Sequence, residues 1–465
     1  MRNFKQLFCS CAVMAFALAS FNANAGSVDA NAARAAAGKF LQQNRTARFM
    51  NNSMSNIKLI HAEKSDVKDN AYYVFNIDGG GWVVIAGDDR ANEVLAYGTE
   101  GNLDMNNLPD NMKGYMKRYK NQVEFLQSGK MKASSLKAPK RVQAVEPLLK
   151  SVNWAQQGPF NWECPEYNGE RSSVGCAALA MAQVVYYWKY PNDLPALSSY
   201  PNSYNYSYVP ALPARTIDYN LIRDQYATWE TGSLGYVPGV TQEEKQEVAW
   251  LCRYCAQACQ MNFSPDGSGS NVLKQKNAFL AFGYNSNMRL LGIEAWPSRE
   301  TWNTTDYSDD EWTAIMNEEL AAGHPLPYSC EDWSLGHAFV VDGVDADGLY
   351  HVSWGWYGRG DGWFQHRAFN VTVQNEYMEF NDALFMVVDL YPYEGYVIPG
   401  GDEPEKKLGD INNDGFVNVS DVTDLISAIL NSEVDSLDAS VANINGDENI
   451  NVSDVTALIA MILNN

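Results

Sequence analysis

Residues 171–191 read RSSVGCAALAMAQVVYYWKYP, and this stretch decides how the middle of the chain folds. From Cys176 to Trp188 every side chain is apolar or aromatic except Gln183. This pattern predicts a helix that is buried on nearly all sides. We expect Ser172 or Ser173 to cap the helix, with Cys176 in its first turn.

A cysteine at the head of such a helix has two interpretations. Thiols in apolar helices are most often small core residues, and composition alone leaves that interpretation of Cys176 open. The position favours the other interpretation, because unpaired N–H groups and the dipole at a helix N-terminus stabilise a thiolate. Cys176 is therefore a candidate nucleophile, and the chain must supply a base.

The whole chain has 465 residues, is 46% hydrophobic and carries a formal net charge of -22. This length allows two or three domains, and the acidity argues against nucleic acid or an anionic membrane as a partner. Arg2, Lys5 and the apolar run LFCSCAVMAFALASF predict a signal peptide over residues 1–25. Since no later segment approaches the roughly 18 apolar residues of a membrane span, we expect a secreted or cell-surface protein.

Six cysteines follow the predicted signal peptide, and three of them are closely spaced. Cys252, Cys255 and Cys259 fall at i, i+3 and i+7, on one face of a predicted helix. No further ligands are evident nearby, which favours core packing over a metal site. Disulfide pairing stays open at this stage.

Composition divides the rest of the chain into segments. Residues 26–144 hold two helix-like stretches flanking AYYVFNI and GWVVIAG, which predict a β-hairpin, and they end in a basic, exposed, cleavable linker at 129–144. Residues 145–393 hold the helix DDEWTAIMNEELAAG followed by several strands, an α+β arrangement. A linker at 394–407 precedes an acidic tail at 408–465.

The best candidate for the base is His337, one of five histidines. In SLGHAFVVDGV it follows a glycine at the start of an apolar strand. Such a histidine is often structural, but a Cys/His pair in an exported protein is also a known nucleophile–base arrangement. Gln156 is a candidate oxyanion donor beside the Cys176 backbone N–H, and Trp354 is a candidate to shield and orient the histidine.

Together, WAQQGPFN, VGCAALAMAQVVYYWKYP and GHAFVVDGVDADGLYHVSWGWYGRGDGWF resemble the streptopain family, secreted cysteine peptidases of the papain clan. The resemblance implies a papain-like domain with a helical half and an antiparallel β half, preceded by an inhibitory α+β propeptide. It also implies Cys176 as nucleophile, His337 as general base and Gln156 as oxyanion donor. In the family an asparagine precedes the tryptophan and is the candidate orienter of the histidine. Ser353 takes that place before Trp354 here, and its hydroxyl can still hydrogen-bond, but with a shorter reach.

The acidic tail contains two copies of a loop–helix unit that share the hexapeptide NVSDVT. Alternating oxygen ligands suit calcium, which takes six to eight of them. The predicted ligands are Asp410, Asn412, Asp414, the Phe416 carbonyl, Asn418 and Asp421 in the first loop, and Asn443, Asn445, Asp447, Asn449, Asn451 and Asp454 in the second. The second loop has fewer charges and Glu448 where glycine is expected, so we expect weaker binding there.

The paired units resemble a small, all-α type I dockerin, which implies a cohesin module on a scaffold or surface protein as partner. A calcium-stiffened appendage without a partner is the alternative. The chain as a whole is thus interpreted as a secreted cysteine endopeptidase zymogen that acts on proteins or peptides, needs no cofactor for catalysis, and is held by its own propeptide. Two other functions stay open: a catalytically inactive binding module, and acyl transfer to amines instead of water.

Overall fold

The computed structural model describes most of the chain between residues 26 and 464. The described residues are 26–44, 57–129, 136–137, 141–204, 207–230, 233–293, 307–331, 336–368, 370–371, 383–393, 396, 408–411, 417, 419–430, 434, 437–447 and 449–464. The predicted signal peptide and nearly all of the predicted linker at 394–407 lie outside them.

The described residues of the N-terminal region fold into two helices and a four-stranded meander. Its elements are α1 (Ala30–Asn44), β1 (Ile57–Lys64), β2 (Asn70–Ile77), β3 (Trp82–Ala86), β4 (Val94–Gly98) and α2 (Asp110–Gln127). The predicted hairpin is confirmed, because β2 pairs with β3 around a turn that Ile77 N–H closes on the Gly81 carbonyl at 2.9 Å. Both predicted helices are present.

The middle of the chain holds a helical part followed by a β part, as predicted. Its helices are α3 (Cys176–Trp188), α4 (Gln242–Ala258), α5 (Val272–Ala281), α6 (Asp309–Ala321) and a short 3-10 turn (Tyr219–Leu221). Strand β5 (Leu136–Lys137) lies in the predicted linker between the two regions. The strands of the middle part are β6 (Glu166–Tyr167), β7 (Glu170–Arg171), β8 (Asp193–Leu194), β9 (Tyr200–Asn202), β10 (Ser207–Val209), β11 (Arg215–Thr216), β12 (Ala227–Glu230), β13 (Ser233–Tyr236), β14 (Arg289–Ile293), β15 (Leu326–Glu331), β16 (Gly336–Val344), β17 (Leu349–Ser353), β18 (Gly362–Gln365), β19 (Asn370–Val371) and β20 (Ala383–Val388).

One ten-stranded sheet runs through both regions, in the order β1-β2-β3-β4-β18-β17-β16-β15-β20-β14. The junction is the antiparallel pair β4–β18, in which Trp363 lies opposite Tyr97 and Phe364 opposite Ala96. All nine strand pairings in this sheet are antiparallel. The N-terminal region therefore extends the sheet of the β part.

Helices cover both faces of the sheet around β16. On one face Ala338 and Val340 belong to the core that includes α3 and α4. On the other face Phe339 and Val341 belong to a core shared with α2 and α6. Because α2 comes from the N-terminal region, that region contributes both a strand and a helix to the packing of the β part.

The described residues of the tail form three helices, α7 (Val419–Leu430), α8 (Ala439–Ala442) and α9 (Val452–Asn464). Helix α7 packs against α9 around a small core that includes Leu425 and Leu458. Among the described residues, no helix is long and apolar enough to cross a membrane.

Candidate active site

Cys176 is the first residue of α3 and is half-buried. The other five described cysteines are buried, and no disulfide joins any of the six. Cys252, Cys255 and Cys259 lie in the core, which confirms the packing prediction, and burial raises the pKa of each of these thiols. Cys176 thus has an environment that differs from that of every other described thiol, at a helix N-terminus where an anion is stabilised.

The predicted serine cap of this helix is wrong. The N-cap is Gly175, with φ of 89° and no side-chain cap hydrogen bond. Ser173 is used elsewhere: its Oγ accepts from Ser268 N–H at 2.9 Å, and its carbonyl accepts from Ser268 Oγ at 2.7 Å. A Cβ on Gly175 would lie 2.8 Å from the Ser268 carbonyl oxygen, so glycine is required both by its φ and by this close approach.

Gln156 lies beside the segment that leads into α3. Its carbonyl accepts a hydrogen bond from Val174 N–H at 3.0 Å, and its side chain is half-buried. The preceding residue, Ala155, forms an antiparallel bridge with Trp356. The backbone of Gln156 is therefore held between the approach to Cys176 and the loop that follows β17.

His337 is the second residue of β16, opposite Cys330 on β15. Its side chain is half-buried, and its Nε2 atom is inaccessible to solvent. Helix α3 packs directly against β16. The cysteine and the histidine are therefore carried by two elements in contact, one from the helical part and one from the β part.

Trp354 follows β17 and is 1% exposed. Its indole N–H donates to the Gly360 carbonyl at 3.0 Å, and its ring lies 4.7 Å from that of Phe339 and 5.8 Å from that of Tyr115, centroid to centroid. Because the indole N–H is already used, Trp354 acts on its surroundings through packing.

Ser353 ends β17, opposite Val340 on β16, and is 2% exposed. Its hydroxyl accepts a hydrogen bond from the Gln183 side-chain amide at 3.1 Å. The next residue, Trp354, donates its backbone N–H to the Asp361 carboxylate. Neither Gln183 nor Asp361 is among the site residues predicted from the sequence. Gln183 carried a signal, since it is the one polar residue in an apolar helix, whereas Asp361 lies in a sequence typical of a turn.

The N-terminal region touches this site through polar contacts. Asn111 on α2 donates to the Trp354 carbonyl at 2.7 Å, and the Gln122 side-chain oxygen accepts from Ala368 N–H at 2.6 Å. Tyr97 on β4 donates its hydroxyl to Asp345 at 2.7 Å. These hydrogen bonds accompany the strand pairing with β18, so the two regions share a specific, buried interface.

The calcium loops are described in part. Asn412, Asp414, Phe416, Asn418 and Glu448 lie outside the described residues. Among the described residues, no three His, Cys, Asp or Glu side chains come together as a metal site. Asp410, Asp421 and Asp454 are nevertheless buried at the loop ends, and the Asn443 side-chain oxygen is buried without a hydrogen-bond partner. Buried carboxylates and an amide oxygen left without a donor fit a hard cation.

A half-buried thiol at a helix head, on a helix that packs against a histidine-bearing strand in an α+β fold, fits the cysteine peptidase class. Family models match three segments of the chain: the peptidase C10 family over residues 154–364, the Spi protease inhibitor over 25–123, and the dockerin type I domain over 408–463. The chain is therefore a cysteine peptidase whose catalytic domain is a peptidase C10 domain, joined to a Spi inhibitor-type domain and a type I dockerin.

Individual proteins agree with this assignment. Streptopain from Streptococcus pyogenes is 28% identical over 355 residues, covering 71% of this chain and 83% of that protein. The thiol protease/hemagglutinin PrtT of Porphyromonas gingivalis is 26% identical over 69% of this chain and 37% of its own length. A solved fragment of prointerpain A from Prevotella intermedia is 26% identical, with a TM-score of 0.54 over 71% of this chain and 98% of that chain. The papain-like α+β fold and the predicted family resemblance are confirmed.

Proposed function

We propose that this protein is a secreted or cell-surface cysteine endopeptidase, made as a zymogen and docked through a calcium-binding dockerin. Residues 26–144 would be the inhibitory propeptide, 145–393 the peptidase and 408–465 the dockerin. The observation that carries the proposal is the position of Cys176, the one half-buried thiol among the described cysteines, at the N-terminus of a helix that packs on the His337 strand.

In the proposed reaction the Cys176 thiolate attacks the carbonyl carbon of a peptide bond in a protein substrate. The oxyanion that forms is stabilised by the Cys176 backbone N–H and the Gln156 side-chain amide. His337, protonated, gives its proton to the departing amine as the C–N bond breaks and the thioester remains. Water then loses a proton to His337, attacks the thioester, and releases the acid and the thiolate.

Two further residues take supporting roles in this proposal. Trp354 shields the histidine strand through its packing on Phe339, two residues after His337, since its indole N–H is bonded to Gly360. Ser353 occupies the place of the family's asparagine, and its hydroxyl is engaged by Gln183. We therefore assign Ser353 a role in supporting the strand.

The inhibitory role of the N-terminal region is supported by its contacts with the peptidase. Strand β4 occupies the edge of β18, and α2 lies over β15 and β16, where Asn111 is bonded to the Trp354 carbonyl. A region bound this close to the site-bearing strands restrains them. The predicted linker between the two is described only in part, at residues 129, 136–137 and 141–144, of which Arg141, Gln143 and Ala144 are exposed.

The dockerin assignment implies two ligands. Calcium, when bound, neutralises the buried carboxylates of the loops and stabilises their folded form. The buried Asp410, Asp421 and Asp454 would hold it, together with the amide ligands of the second loop. A cohesin module is the partner that a type I dockerin domain implies.

The test follows the mass of the chain over residues 26–465 with time, in calcium and a mild reductant, beside Cys176→Ala and the control Cys164→Ala, a buried thiol. We expect the wild type and Cys164→Ala to lose the propeptide mass and then to hydrolyse casein, and Cys176→Ala to do neither. If the wild type stays intact and inactive even after an active streptopain-like protease is added, the proposal is wrong.

A further inference from the structure

One face of α3, the helix that begins at the proposed nucleophile Cys176, packs against the turn that follows β17. Leu179 and Gln183 follow Cys176 by three and seven residues, so the three side chains share one face of the helix. Leu179 lies against Gly355, where an added Cβ would come within 2.7 Å of its Cδ2 atom. Gln183 reaches Ser353 at 3.1 Å. The nucleophile helix is thus fitted onto the turn that follows β17.

Ser353 has one proton to donate, and its hydroxyl already accepts from Gln183. Asp361 lies near this hydroxyl, which acts to lower the pKa of its carboxyl. The same carboxylate accepts from Trp354 N–H at 2.9 Å. Gln183 is therefore bonded to the side chain of Ser353, and Asp361 to the peptide group of the next residue.

This chain of hydrogen bonds is buried where it connects the two elements, since Gln183 is 1% and Ser353 2% exposed. Ser353 lies opposite Val340, three residues after His337 on β16. Water does not compete at this point, and a hydrogen bond between buried groups cannot be lost without leaving a polar atom unsatisfied. The link consequently restricts how far the strand pair can slide relative to α3.

Asp361 lies at the Trp354 end of this arrangement, where it accepts the Trp354 N–H. Burial raises the pKa of its carboxyl to about 7, while the hydrogen bonds from Trp354 and Ser353 act in the opposite direction. The charged groups that face it are His351 on β17 and Asp342 on β16, which are themselves 2.6 Å apart. In its ionised form the carboxylate is a strong acceptor for the Trp354 N–H.

We propose that Gln183, Ser353 and Asp361 are positioning residues for the Cys176–His337 pair, fixing the helix that carries the thiol against the strands that carry the imidazole. The inference rests on the proposed function. It explains how a serine serves where the family has an asparagine: its hydroxyl fixes the end of β17 to a glutamine of α3, and Asp361 holds the peptide group of the next residue, Trp354.

The test uses the full chain after removal of the propeptide, with the variants Ser353→Ala, Ser353→Thr and Gln183→Met, the last keeping shape but removing the donor. Ser329→Ala is the matched control, because Ser329 is a buried serine on neighbouring β15 whose hydroxyl has no hydrogen-bond partner. Two readouts are compared: kcat and KM on a peptide, and the pH dependence of Cys176 alkylation by iodoacetamide, read by mass spectrometry.

We expect Ser353→Ala and Gln183→Met to lower kcat about tenfold with KM changed less than about twofold, as for a lost buried hydrogen bond felt in the transition state. The midpoint of alkylation should move up towards that of an ordinary thiol, near pH 8.5. Ser353→Thr, which keeps the hydroxyl but adds a buried methyl group, should recover most of the kcat and the alkylation midpoint lost in Ser353→Ala, and Ser329→Ala should match the wild type in both readouts.

Different failures have different meanings. A wild-type chain with no peptidase activity would refute the proposed function and this inference with it. An active wild type together with Ser353→Ala and Gln183→Met variants that melt earlier but keep the wild-type kcat and alkylation profile would refute only the inference, since the chain of bonds would then be structural alone. If Ser353→Ala does not fold, Gln183→Met decides between these outcomes.

Discussion

Replacing Gly175 by alanine tests the account of how the nucleophile helix begins. The added Cβ would lie 2.0 Å from the Met261 methyl and 2.8 Å from the Ser268 carbonyl oxygen, at a φ of +89°. Met261 can shift, but Ser268 is backbone that is bonded to Ser173. With ψ at 141°, the positive φ places the residue in a region that other residues rarely adopt, which costs about 1–3 kcal/mol, and the overpacking costs about 1–3 kcal/mol, so we expect a loss of about 2–6 kcal/mol.

A matched control separates the two contributions. Gly239 has a φ of +76° and nothing within 4 Å of an added Cβ, so Gly239→Ala should lose only the backbone contribution, about 1–2 kcal/mol. Urea unfolding followed by tryptophan fluorescence, in full chains carrying Cys176→Ala to prevent self-digestion, measures both as shifts in midpoint. Equal midpoints for the two variants would refute the close approach to Ser268, and with it our explanation of this helix start.

Three further predictions concern the interface, the loops and pH. Asn111→Ala should lower the affinity of the cut N-terminal region for the rest of the chain about 5- to 30-fold, because the buried Trp354 carbonyl loses its donor. The exposed control Asn107→Ala should leave this affinity unchanged. The protein concentration below which the cut chain gains activity on dilution measures the affinity. Calcium removal should lower the melting temperature of the dockerin. In titration calorimetry Asp421→Asn should weaken the tighter calcium-binding step, and Asp454→Asn the weaker one, each by at least about tenfold, whereas the exposed control Asp424→Asn should change neither. Unchanged isotherms for Asp421→Asn and Asp454→Asn would contradict the assigned ligands. Because the pKa of Asp361 is raised to about 7, the folded state binds its proton more tightly than the unfolded state, and this group's contribution to stability falls as pH rises from about 4 to 7. Asp361→Asn should remove this decrease from urea midpoints measured across the same pH range. Equal slopes for the wild type and Asp361→Asn would argue against the raised pKa.

Local patterns were enough to locate the elements that carry the candidate site. The apolar run after Cys176 is long and uninterrupted, and the strand after His337 begins at a glycine, so both elements were predictable. The helix cap was not, because Ser173 bonds to Ser268, 95 residues away along the chain. Which partner a serine chooses depends on tertiary contacts that no local pattern contains.

The same limit applies to the wider site. The β4–β18 pair joins Ala96 to Phe364, and the Gln183–Ser353 bond spans 170 residues. Neither pairing follows from periodicity. The alternation in β4 would suit pairing with any edge strand, and a buried amide could bond to any buried polar group. The sequence did contain the relevant residue in one case: a lone polar side chain within an apolar helix needs a buried partner, and this requirement singles out Gln183.

The continuous sheet has a consequence for the timing of activation. Cutting the chain between residues 130 and 140 breaks no strand pairing between β4 and β18 and none of the hydrogen bonds made by Asn111, Gln122 and Tyr97. A nicked molecule would therefore keep its two pieces together, and scission would precede the onset of turnover by a lag set by dissociation. That lag would shorten on dilution. When the pieces separate, β18 becomes an open edge, a surface on which other chains can add a strand.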